Sequence, residues 1–378
     1  MRIATLSKHM LTQNNLKIGY VPLNDDLISA PGDYRRFPEY AKIKEVKFEL
    51  AREDKIYDLV VVSQGADITF WSRYPHGVIV YDFIDSYLSI PQTNLKGLLR
   101  GTIKFLVGKH KRLEFNYWKT VRKMCSRSDA VICSTNAQQK LILPFCKNTR
   151  IILDIQDSVV KNVKEIYKAQ DTFKIVWEGL ACNLYQLKFV SKALQKLSKG
   201  YKVELHIITD SLTPSFLGSY FPISTEKKLK KIFHSAIFHK WNKETLAKII
   251  CDCDLAIIPV DTKYPLTSGK PENKLLLLWR MGTPVVTSNT FAYKEAMEES
   301  GFDLTCDNED DWFNKIQNLI INKELRMDAA VLGMKYANKY SSTNRLLRKW
   351  DEVFSSIGFD FTSKIDDNQY TVNINAEN

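Results

Sequence analysis

Apolar runs and amphipathic stretches alternate along the first half of the chain. Six short runs rich in apolar residues predict strands, and several of them are continuous rather than alternating, which is typical of strands buried on both faces of a parallel sheet. These predicted strands are residues 17–21, 46–50, 57–62, 78–81, 130–133 and 150–153. Helical patterns lie between them, for example at 134–143, where capping residues come first. The alternation predicts a doubly wound α/β domain.

The same alternation repeats from about residue 172. The predicted strands are residues 174–177, 202–208, 236–238, 255–258 and 285–286, and the predicted helices are 183–197, 243–251 and 272–281. Two such domains in tandem imply a cleft between them.

The predicted domains are residues 1–160 and 172–340, and the polar stretch 154–170 is the expected linker between them. A helical pattern continues over 323–357, and we expect the last helix, within 341–360, to pack back across the domains. Residues 363–378 contain few apolar side chains, so we expect a disordered tail.

The length and composition agree with this organisation. A chain of 378 residues exceeds one ordinary core, and its 44% hydrophobic and 26% charged residues are those of a soluble globular protein. It has no run of about 18 uncharged apolar residues that would span a bilayer, and its N-terminus lacks the apolar core of a signal peptide. Seven scattered cysteines suggest free thiols in a reducing cytoplasm.

No metal site is expected. Cys251 and Cys253 are close in sequence, but no second Cys/His pair at a suitable spacing completes a zinc site. Asp252 and Asp254 form a D-x-D pattern, but they straddle a helix end and a strand start, so we interpret the pattern as coincidence.

The net charge of +11 is concentrated in one segment. Between Lys96 and Arg127 there are ten basic residues, and Glu114 is the only acid. Apolar and aromatic side chains are interleaved with the charges, which favours docking on an anionic membrane. The residues expected to dock are Lys104, Lys109, Lys111, Arg112 and Trp118. The alternatives are a packed helix with a solvated basic face, and nucleic-acid binding, which we do not expect because no recognisable nucleic-acid module is present.

A helix start after a buried strand is the strongest candidate site. Pro271 suits the first turn of the helix at 272–281, Gly282 suits the residue just past its end, and Pro284 prevents continuation. Lys270 and Lys274 then lie at the positive N-terminus of that helix, beyond the carboxyl end of a strand, where a diphosphate would bind. The alternative is an ordinary strand–loop–helix unit with two solvated lysines.

These residues also carry a resemblance to a known class of enzymes. The stretch from Lys270 to Lys274, with the segments 282–287 and 292–295, resembles the donor-binding region of retaining glycosyltransferases with the GT-B fold, and is most similar to family 4, the group 1 enzymes. The segments 254–259 and 175–179, with Asn183, resemble two further strands of that region. The resemblance implies an α/β protein with two Rossmann-like doubly wound parallel-sheet domains facing each other across a cleft.

The resemblance also implies a function. The expected enzyme is a metal-independent, retaining, hexosyltransferase-like protein that uses no cofactor. Its donor would be a nucleotide sugar. Its acceptor would be a cell-envelope glycan, such as lipopolysaccharide, capsule or another lipid-linked polysaccharide. The expected location is the cytoplasm, and peripheral attachment to the inner face of the cell membrane is the alternative.

The residues that match the donor region of the family are Gly179, Asn183, Trp241, Lys270, Glu272, Asn273 and Lys274. Trp241 falls where the family contacts the nucleotide base, although a buried core tryptophan is the alternative. Two departures stand out. The family's Arg/Lys pair after the first strand is missing, and Leu277 replaces the glutamate that grips the ribose.

Candidates in the first domain follow its strands. Asp82 and Asp85 are the expected catalytic carboxylates, in a neighbourhood where the family often has a histidine, and helix capping by Asp85 is the alternative. The expected acceptor-side residues are Gly32, Arg35 and Arg36, for which the arginines suggest an anionic ligand or a local acid such as Glu39.

Two other classes of protein stay open. One is a non-catalytic GT-B-like subunit that binds a glycan or a partner transferase, which the two departures favour. The other is a peripheral membrane-binding protein in which the segment 96–127 is the functional element.

Overall fold

The computed structural model describes residues 16–23, 31–167, 171–215, 218–232 and 235–361. The tail expected at 363–378 and part of the loop before Pro31 lie outside these residues. The chain divides into two compact units, of which the first is Met1–Ile155 with Ser342–Asn378 and the second is Gln156–Ser341. The chain therefore leaves the first unit once and returns to it.

The first unit is built on a six-stranded sheet in which every neighbouring pair is parallel. Its strands are β1 (Ile18–Val21), β2 (Glu49–Leu50), β3 (Leu59–Ser63), β4 (Val78–Asp82), β5 (Ala130–Cys133) and β6 (Thr149–Ile151), in the order β2-β1-β3-β4-β5-β6. Five of the predicted strands are confirmed to within two residues. The sixth, predicted at 46–50, pairs only over its last two residues.

Six helices connect these strands. They are α1 (Pro31–Tyr34), α2 (Phe37–Ile43), α3 (Ile68–Trp71), α4 (Leu95–Leu106), α5 (Tyr117–Arg127) and α6 (Asn136–Ile142). The start of α6 follows from its sequence, because the Thr135 hydroxyl accepts the backbone N–H of Gln138. The core between helices and sheet is aliphatic and aromatic, and strand β3 is buried along its whole length.

The second unit contains another six-stranded parallel sheet. Its strands are β7 (Phe173–Glu178), β8 (Val203–Thr209), β11 (Ile237–Lys240), β12 (Leu255–Ile258), β13 (Val285–Ser288) and β14 (Thr305–Cys306), in the order β11-β8-β7-β12-β13-β14. An antiparallel ribbon of β9 (Leu212–Ser215) and β10 (Gly218–Ser224) is inserted after β8, and the sequence pattern did not predict it.

The helices of the second unit are α7 (Ser191–Leu197), α8 (Thr225–Ile232), α9 (Leu246–Asp252), α10 (Pro265–Ser268), α11 (Asn273–Arg280), α12 (Phe291–Ser300), α13 (Glu309–Ile321) and α14 (Lys323–Ser341). The helix predicted at 183–197 is wrong in its first half, which forms a 3₁₀ helix over Ala181–Phe189 before α7 begins.

The chain passes from the first unit to the second between Ile155 and Gln156, inside the predicted linker at 154–170. Gln156 donates to the backbone O of Asn273 at 2.7 Å, and the Lys164 ammonium donates to the carbonyls of Cys251 and Cys253 at 2.9 Å. These bonds attach the described part of the stretch to the second unit. Lys164 is buried, whereas most of its neighbours over residues 161–167 are exposed.

The last helix, α15 (Thr343–Ser356), lies in the first unit. Its Asp351 accepts hydrogen bonds from the Tyr40 hydroxyl at 2.7 Å and the Lys44 ammonium at 2.8 Å, both on or beside α2. Its Trp350 packs on Phe37 and Tyr40 with ring centroids 6.1 and 5.7 Å apart. The C-terminal helix is thus part of the core of the first unit.

Candidate functional site

The second unit contains a topological switch point. The chain runs from β7 outward through β8 to β11, and then returns to place β12 on the other side of β7. In open parallel sheets, ligands bind beyond the carboxyl ends of the strands at this reversal. Here those ends are Glu178 of β7 and Ile258 of β12, and the chain after β12 leads to α11.

Helix α11 begins and ends for reasons visible in the sequence. Its residues 275–279 are all buried, and Gly282 follows the C-cap with φ of +68°. The N–H groups of Gly282 and Thr283 donate to the carbonyls of Trp279 and Leu278, which is the Schellman pattern. The predicted role of Gly282 is confirmed. The expectation that Pro271 lies in the first turn is wrong, because α11 begins at Asn273, Glu272 is its N-cap and Pro271 precedes that residue.

Lys274, in the first turn of α11, reaches the carboxyl end of β7. Its ammonium donates to the backbone O of Glu178, lies 3.5 Å from the carboxylate of the same residue and 5.5 Å from the ring of Trp177. The indole N–H of Trp241, just after β11, donates to the Glu178 carboxylate at 3.2 Å. The structure therefore brings together two predicted donor residues, Lys274 and Trp241, around Glu178.

Glu178 is the residue that sequence reasoning missed. Its position at the end of the first strand of the unit was visible, but a carboxylate is not expected beside an anion site. In the structure its charge offsets that of Lys274, and the pair is largely buried. A diphosphate that binds here must compete with Glu178 for Lys274.

Position 179 requires glycine because there is no room for a Cβ, and not because of its backbone angles. A Cβ at this position would lie 2.8 Å from the ammonium of Lys274 and 2.9 Å from the ring of Trp177. The predicted site residue Gly179 thus lies against Lys274, and a side chain there would displace the lysine.

The remaining predicted donor residues are less closely gathered. Asn183 lies half-buried in the 3₁₀ helix, and its N–H donates to Leu180 O at 2.8 Å. Lys270 lies half-buried in the turn between α10 and α11, before the N-cap Glu272 and the first helical residue Asn273. Leu277, where the family has its ribose-binding glutamate, is only 1% exposed and belongs to the core.

In the first unit, Asp85 is held by a reciprocal pair of hydrogen bonds. The amide of Gln64, after β3, donates to the Asp85 carboxylate at 2.9 Å, and the Asp85 N–H donates to the Gln64 carbonyl at 2.6 Å. Gln138 of α6 donates to the backbone O of Asp85 at 3.1 Å. Asp85 is half-buried at the carboxyl end of the sheet, and the glutamines that fix it were not predicted because they are distant in sequence.

The alternative that Asp85 caps the long helix is not what the structure shows. Ser86 is the N-cap of a 3₁₀ turn at Tyr87–Ser89, and α4 begins only at Leu95.

Asp82 and Arg36 form a buried ion pair. Two guanidinium nitrogens of Arg36 lie 3.0 and 2.5 Å from the carboxylate oxygens of Asp82, and a third bond reaches the carbonyl of Ile152 at 2.7 Å. Asp82 is 1% exposed. Burial lowers the pKa of Arg36, but the carboxylates of Asp82 and Asp154 outweigh burial and raise it overall. The geometry therefore favours Asp85 over Asp82 as an acid or base, and the partner of Arg36 is Asp82 rather than Glu39.

The other acceptor-side residues pack tightly. Gly32 lies in α1, where a Cβ would come within 2.9 Å of the Leu23 side chain. Arg35 is buried beside Tyr34, with its guanidinium carbon 5.4 Å from the ring centroid, and its backbone O accepts the N–H of Ile155 at 2.8 Å. The predicted role of these residues toward an acceptor stays a prediction.

The expected membrane-docking residues divide into two groups. Trp118 is 3% exposed and donates its indole N–H to the Ile90 carbonyl at 3.1 Å, so its assignment to a docking surface is wrong. Lys104 is turned inward to the Tyr117 hydroxyl at 3.2 Å. Lys109, Lys111 and Arg112 are exposed. Among the residues described, no helix is both long and apolar enough to cross a bilayer.

Solved structures match this architecture. HepE from Anabaena matches with a TM-score of 0.61 over 90% of this chain and 100% of its own, at 14% identity. WaaG, a glycosyltransferase involved in lipopolysaccharide biosynthesis, matches with a TM-score of 0.53 over 90% of this chain and 100% of its own, at 10% identity. TarM from S. aureus matches with a TM-score of 0.55 at 12% identity, over 81% of this chain and 55% of its own. This chain thus spans little more than half the length of TarM. The fold is that of GT-B proteins, as the sequence predicted.

The second unit also matches a family by sequence. Residues 172–322 match the model of the family described as glycosyl transferases group 1. A search of curated protein sequences found no significant match. The family match covers the switch point, β7, β12 and α11, so the predicted resemblance to group 1 glycosyl transferases is confirmed for the part of the chain that holds the candidate donor site.

Proposed function

We propose that the protein is a glycosyltransferase whose second unit binds a nucleotide-diphosphate sugar at the switch point between β7 and β12. The single observation that carries the proposal is the convergence of Lys274, Gly179 and Trp241 at this point, inside the segment that matches group 1 glycosyl transferases. HepE has been crystallised with UDP-glucose, which makes UDP-sugars the first donors to test.

The chemistry follows from charge. When the glycosidic bond of the donor breaks, negative charge builds on the leaving diphosphate, and cations already in place stabilise it. Lys274 is the proposed cation, with Lys270 and the N-terminus of α11 beside it. Binding would move the Lys274 ammonium from Glu178 to the diphosphate, and Glu178 would keep its bond to Trp241. The indole of Trp241 is the proposed contact for the base.

The finer parts of the proposal come from the resemblance. We propose a retaining, metal-independent transfer of family 4 type, without a cofactor, to a cell-envelope glycan. WaaG, which shares the fold, is involved in lipopolysaccharide biosynthesis. Asp85 is the proposed acid–base group toward the acceptor hydroxyl, because Gln64 orients its partly exposed carboxylate. The seven free cysteines support a cytoplasmic location, and the proposed acceptor places the protein at the inner face of a membrane.

The test is a thermal-shift and calorimetric screen of the full chain against UDP- and GDP-sugars. A donor that binds the folded state raises the melting temperature with the logarithm of its concentration. Lys274→Ala should abolish the shift. Lys248→Ala, which removes an exposed lysine of α9, is the matched control and should respond as the wild type does. A Lys274→Ala protein that still responds fully contradicts the proposed role of this lysine.

A second variant separates donor binding from chemistry. Asp85→Asn should lower transfer to the acceptor by about 10²–10⁴-fold, since general acid–base groups contribute that much, and should leave donor binding unchanged. Unchanged transfer by this variant would remove Asp85 from the mechanism without affecting the donor site.

One observation favours a second candidate function, a non-catalytic GT-B-like subunit that binds a glycan or a partner transferase. Leu277 is buried where the family has its ribose-binding glutamate, and Glu178 neutralises the lysine. Both weaken a donor site. The absence of binding by any nucleotide sugar at millimolar concentration would favour this function over the enzyme.

A further inference from the structure

Helix α4 and the residue that follows it expose several apolar side chains. Leu99, Ile103, Leu106 and Val107 recur at the spacing of one helical face, and all of them are exposed, Leu106 by 75%. A surface helix normally turns such a stripe toward the core and its charges toward water. In α4 the apolar stripe therefore faces solvent.

Two cationic side chains of the same helix, Arg100 and Lys104, face the protein. The Arg100 guanidinium donates to the Tyr87 hydroxyl at 2.6 Å and lies 4.2 Å from that ring. The Lys104 ammonium donates to the Tyr117 hydroxyl at 3.2 Å and lies 5.2 Å from its ring. Burial and the nearby cation Arg100 lower the pKa of Lys104 to about 8. The two cations are fixed inward by aromatic partners, so the outward apolar face is built into the fold.

The chain after α4 folds back against the helix and exposes a further apolar side chain. Gly101 permits the return, because a Cβ there would lie 2.1 Å from the backbone O of Glu114. The N–H of Lys111 donates to the Asp67 carboxylate at 2.8 Å, which fixes the middle of the returning segment. Within the returning segment, Phe115 is 70% exposed. We call residues 99–115 with these exposed side chains the apolar platform.

The charges that the apolar platform itself carries are mainly positive, and its Lys111 pairs with Glu53. Lys109 and Arg112 are exposed within it, and Lys119 and Lys123 are exposed on the next helix, α5. The one acid of the segment, Glu114, is paired with Arg73 at 2.9 Å. An exposed apolar surface bordered by cations complements a bilayer that carries anionic lipid. The apolar side chains insert among the acyl chains, and the cations contact the anionic headgroups.

We propose that the apolar platform is the surface by which this protein docks on an anionic lipid bilayer, with Leu106 and Phe115 inserted and Lys109 and Arg112 at the headgroups. The proposal deepens the proposed location at a membrane. It depends on the first unit alone, so it can fail while donor binding succeeds, and the reverse.

Co-sedimentation of the full chain with phosphatidylglycerol/phosphatidylcholine vesicles tests the apolar contacts. The double variant Leu106→Asp/Phe115→Asp should lower the partition coefficient on the order of a hundredfold, because two apolar side chains no longer leave water. The matched control is Phe291→Asp/Ile321→Asp, since these side chains are 70% and 65% exposed in the second unit. This control should partition as the wild type does. Equal partitioning by the two double variants would overturn the proposal.

A charge variant tests the lipid class. Lys109→Glu/Arg112→Glu should weaken binding to these vesicles about thirtyfold, and Lys199→Glu/Lys248→Glu, with the same change in net charge, should not. Wild-type binding should fall with added salt and be much weaker on pure phosphatidylcholine. Equal binding to neutral vesicles would overturn the proposal.

Light scattering of the wild type and of Leu106→Asp/Phe115→Asp gives an independent check on the occupant of the surface. We expect monomers of unchanged melting temperature for both, because the altered side chains are exposed. A dimer that the variant dissociates would identify the surface as an interface between two copies and overturn the membrane proposal.

Discussion

Substitution of Gly179 by alanine perturbs the candidate donor site by a single methyl group. The new Cβ would lie 2.8 Å from the Lys274 ammonium and 2.9 Å from Cζ2 of Trp177. Both distances are shorter than carbon contacts in folded proteins, so one of the two side chains must move. Trp177 is 2% exposed and fixed in the core, whereas the end of a lysine side chain is flexible. We therefore expect Lys274 to leave its position.

The size of the effect follows from these contacts. Overpacking of a well-packed site costs about 1–3 kcal/mol, part of which the displacement of Lys274 relieves. The displaced ammonium loses its hydrogen bond to the Glu178 carbonyl, and a donor diphosphate loses a charged partner worth about 1.5–3 kcal/mol. We expect Gly179→Ala to lower the free energy of unfolding by about 1–2 kcal/mol, and to weaken donor binding about tenfold or more.

Urea denaturation and calorimetric titration with the donor measure the two quantities. Gly200→Ala is the matched control, because its Cβ would meet nothing within 4 Å. The control should stay within about 0.5 kcal/mol of the wild type and bind donor normally. If Gly179→Ala behaves like Gly200→Ala in both assays, Lys274 does not hold the position that the account requires.

Three further substitutions test individual contacts. Gly282→Ala places a side chain at φ of +68° and should lower the free energy of unfolding by about 1–3 kcal/mol, measured in urea against Gly200→Ala. Asp82→Asn leaves the Arg36 guanidinium buried with one carboxylate fewer and should cost about 3–5 kcal/mol in the same assay, whereas a cost below 1 kcal/mol would contradict the burial of the pair. Because the pKa of Lys104 is lowered from 10.5 to about 8, the unfolded chain binds more protons between these values, so the stability of the wild type relative to Lys104→Met should rise between pH 8 and 10.

The sequence predicted the features that depend on a local pattern, namely most of the strands and the end of α11. Apolar runs located most strands of the two sheets. A strand that is buried on both faces is apolar at successive positions, so it can be identified from its own residues alone. Gly282 and Pro284 located the end of α11 because the left-handed turn and the helix stop are decided by single residues. The short strand β14 and the ribbon β9–β10 escaped notice because neither has a run of that kind.

The sequence could not predict pairings between distant residues. Arg36 and Asp82 are 46 residues apart, and nothing local distinguishes a buried bidentate pair from two solvated charges. Glu178 and Lys274 are 96 residues apart. The lysines at the start of α11 gave no indication in the sequence that a carboxylate contacts one of them. The orientation of α4 was also open, since its pattern is equally amphipathic whichever face turns inward. Only its aromatic partners on neighbouring elements decide that Arg100 and Lys104 face the protein.

A crystal structure of the chain with a bound nucleotide-diphosphate sugar tests the central claim most directly. We expect a diphosphate beyond the carboxyl ends of β7 and β12, within hydrogen-bonding distance of the Lys274 ammonium, with that ammonium withdrawn from the carbonyl of Glu178. A donor bound elsewhere, or a donor bound here while Lys274 still contacts only Glu178, would contradict it.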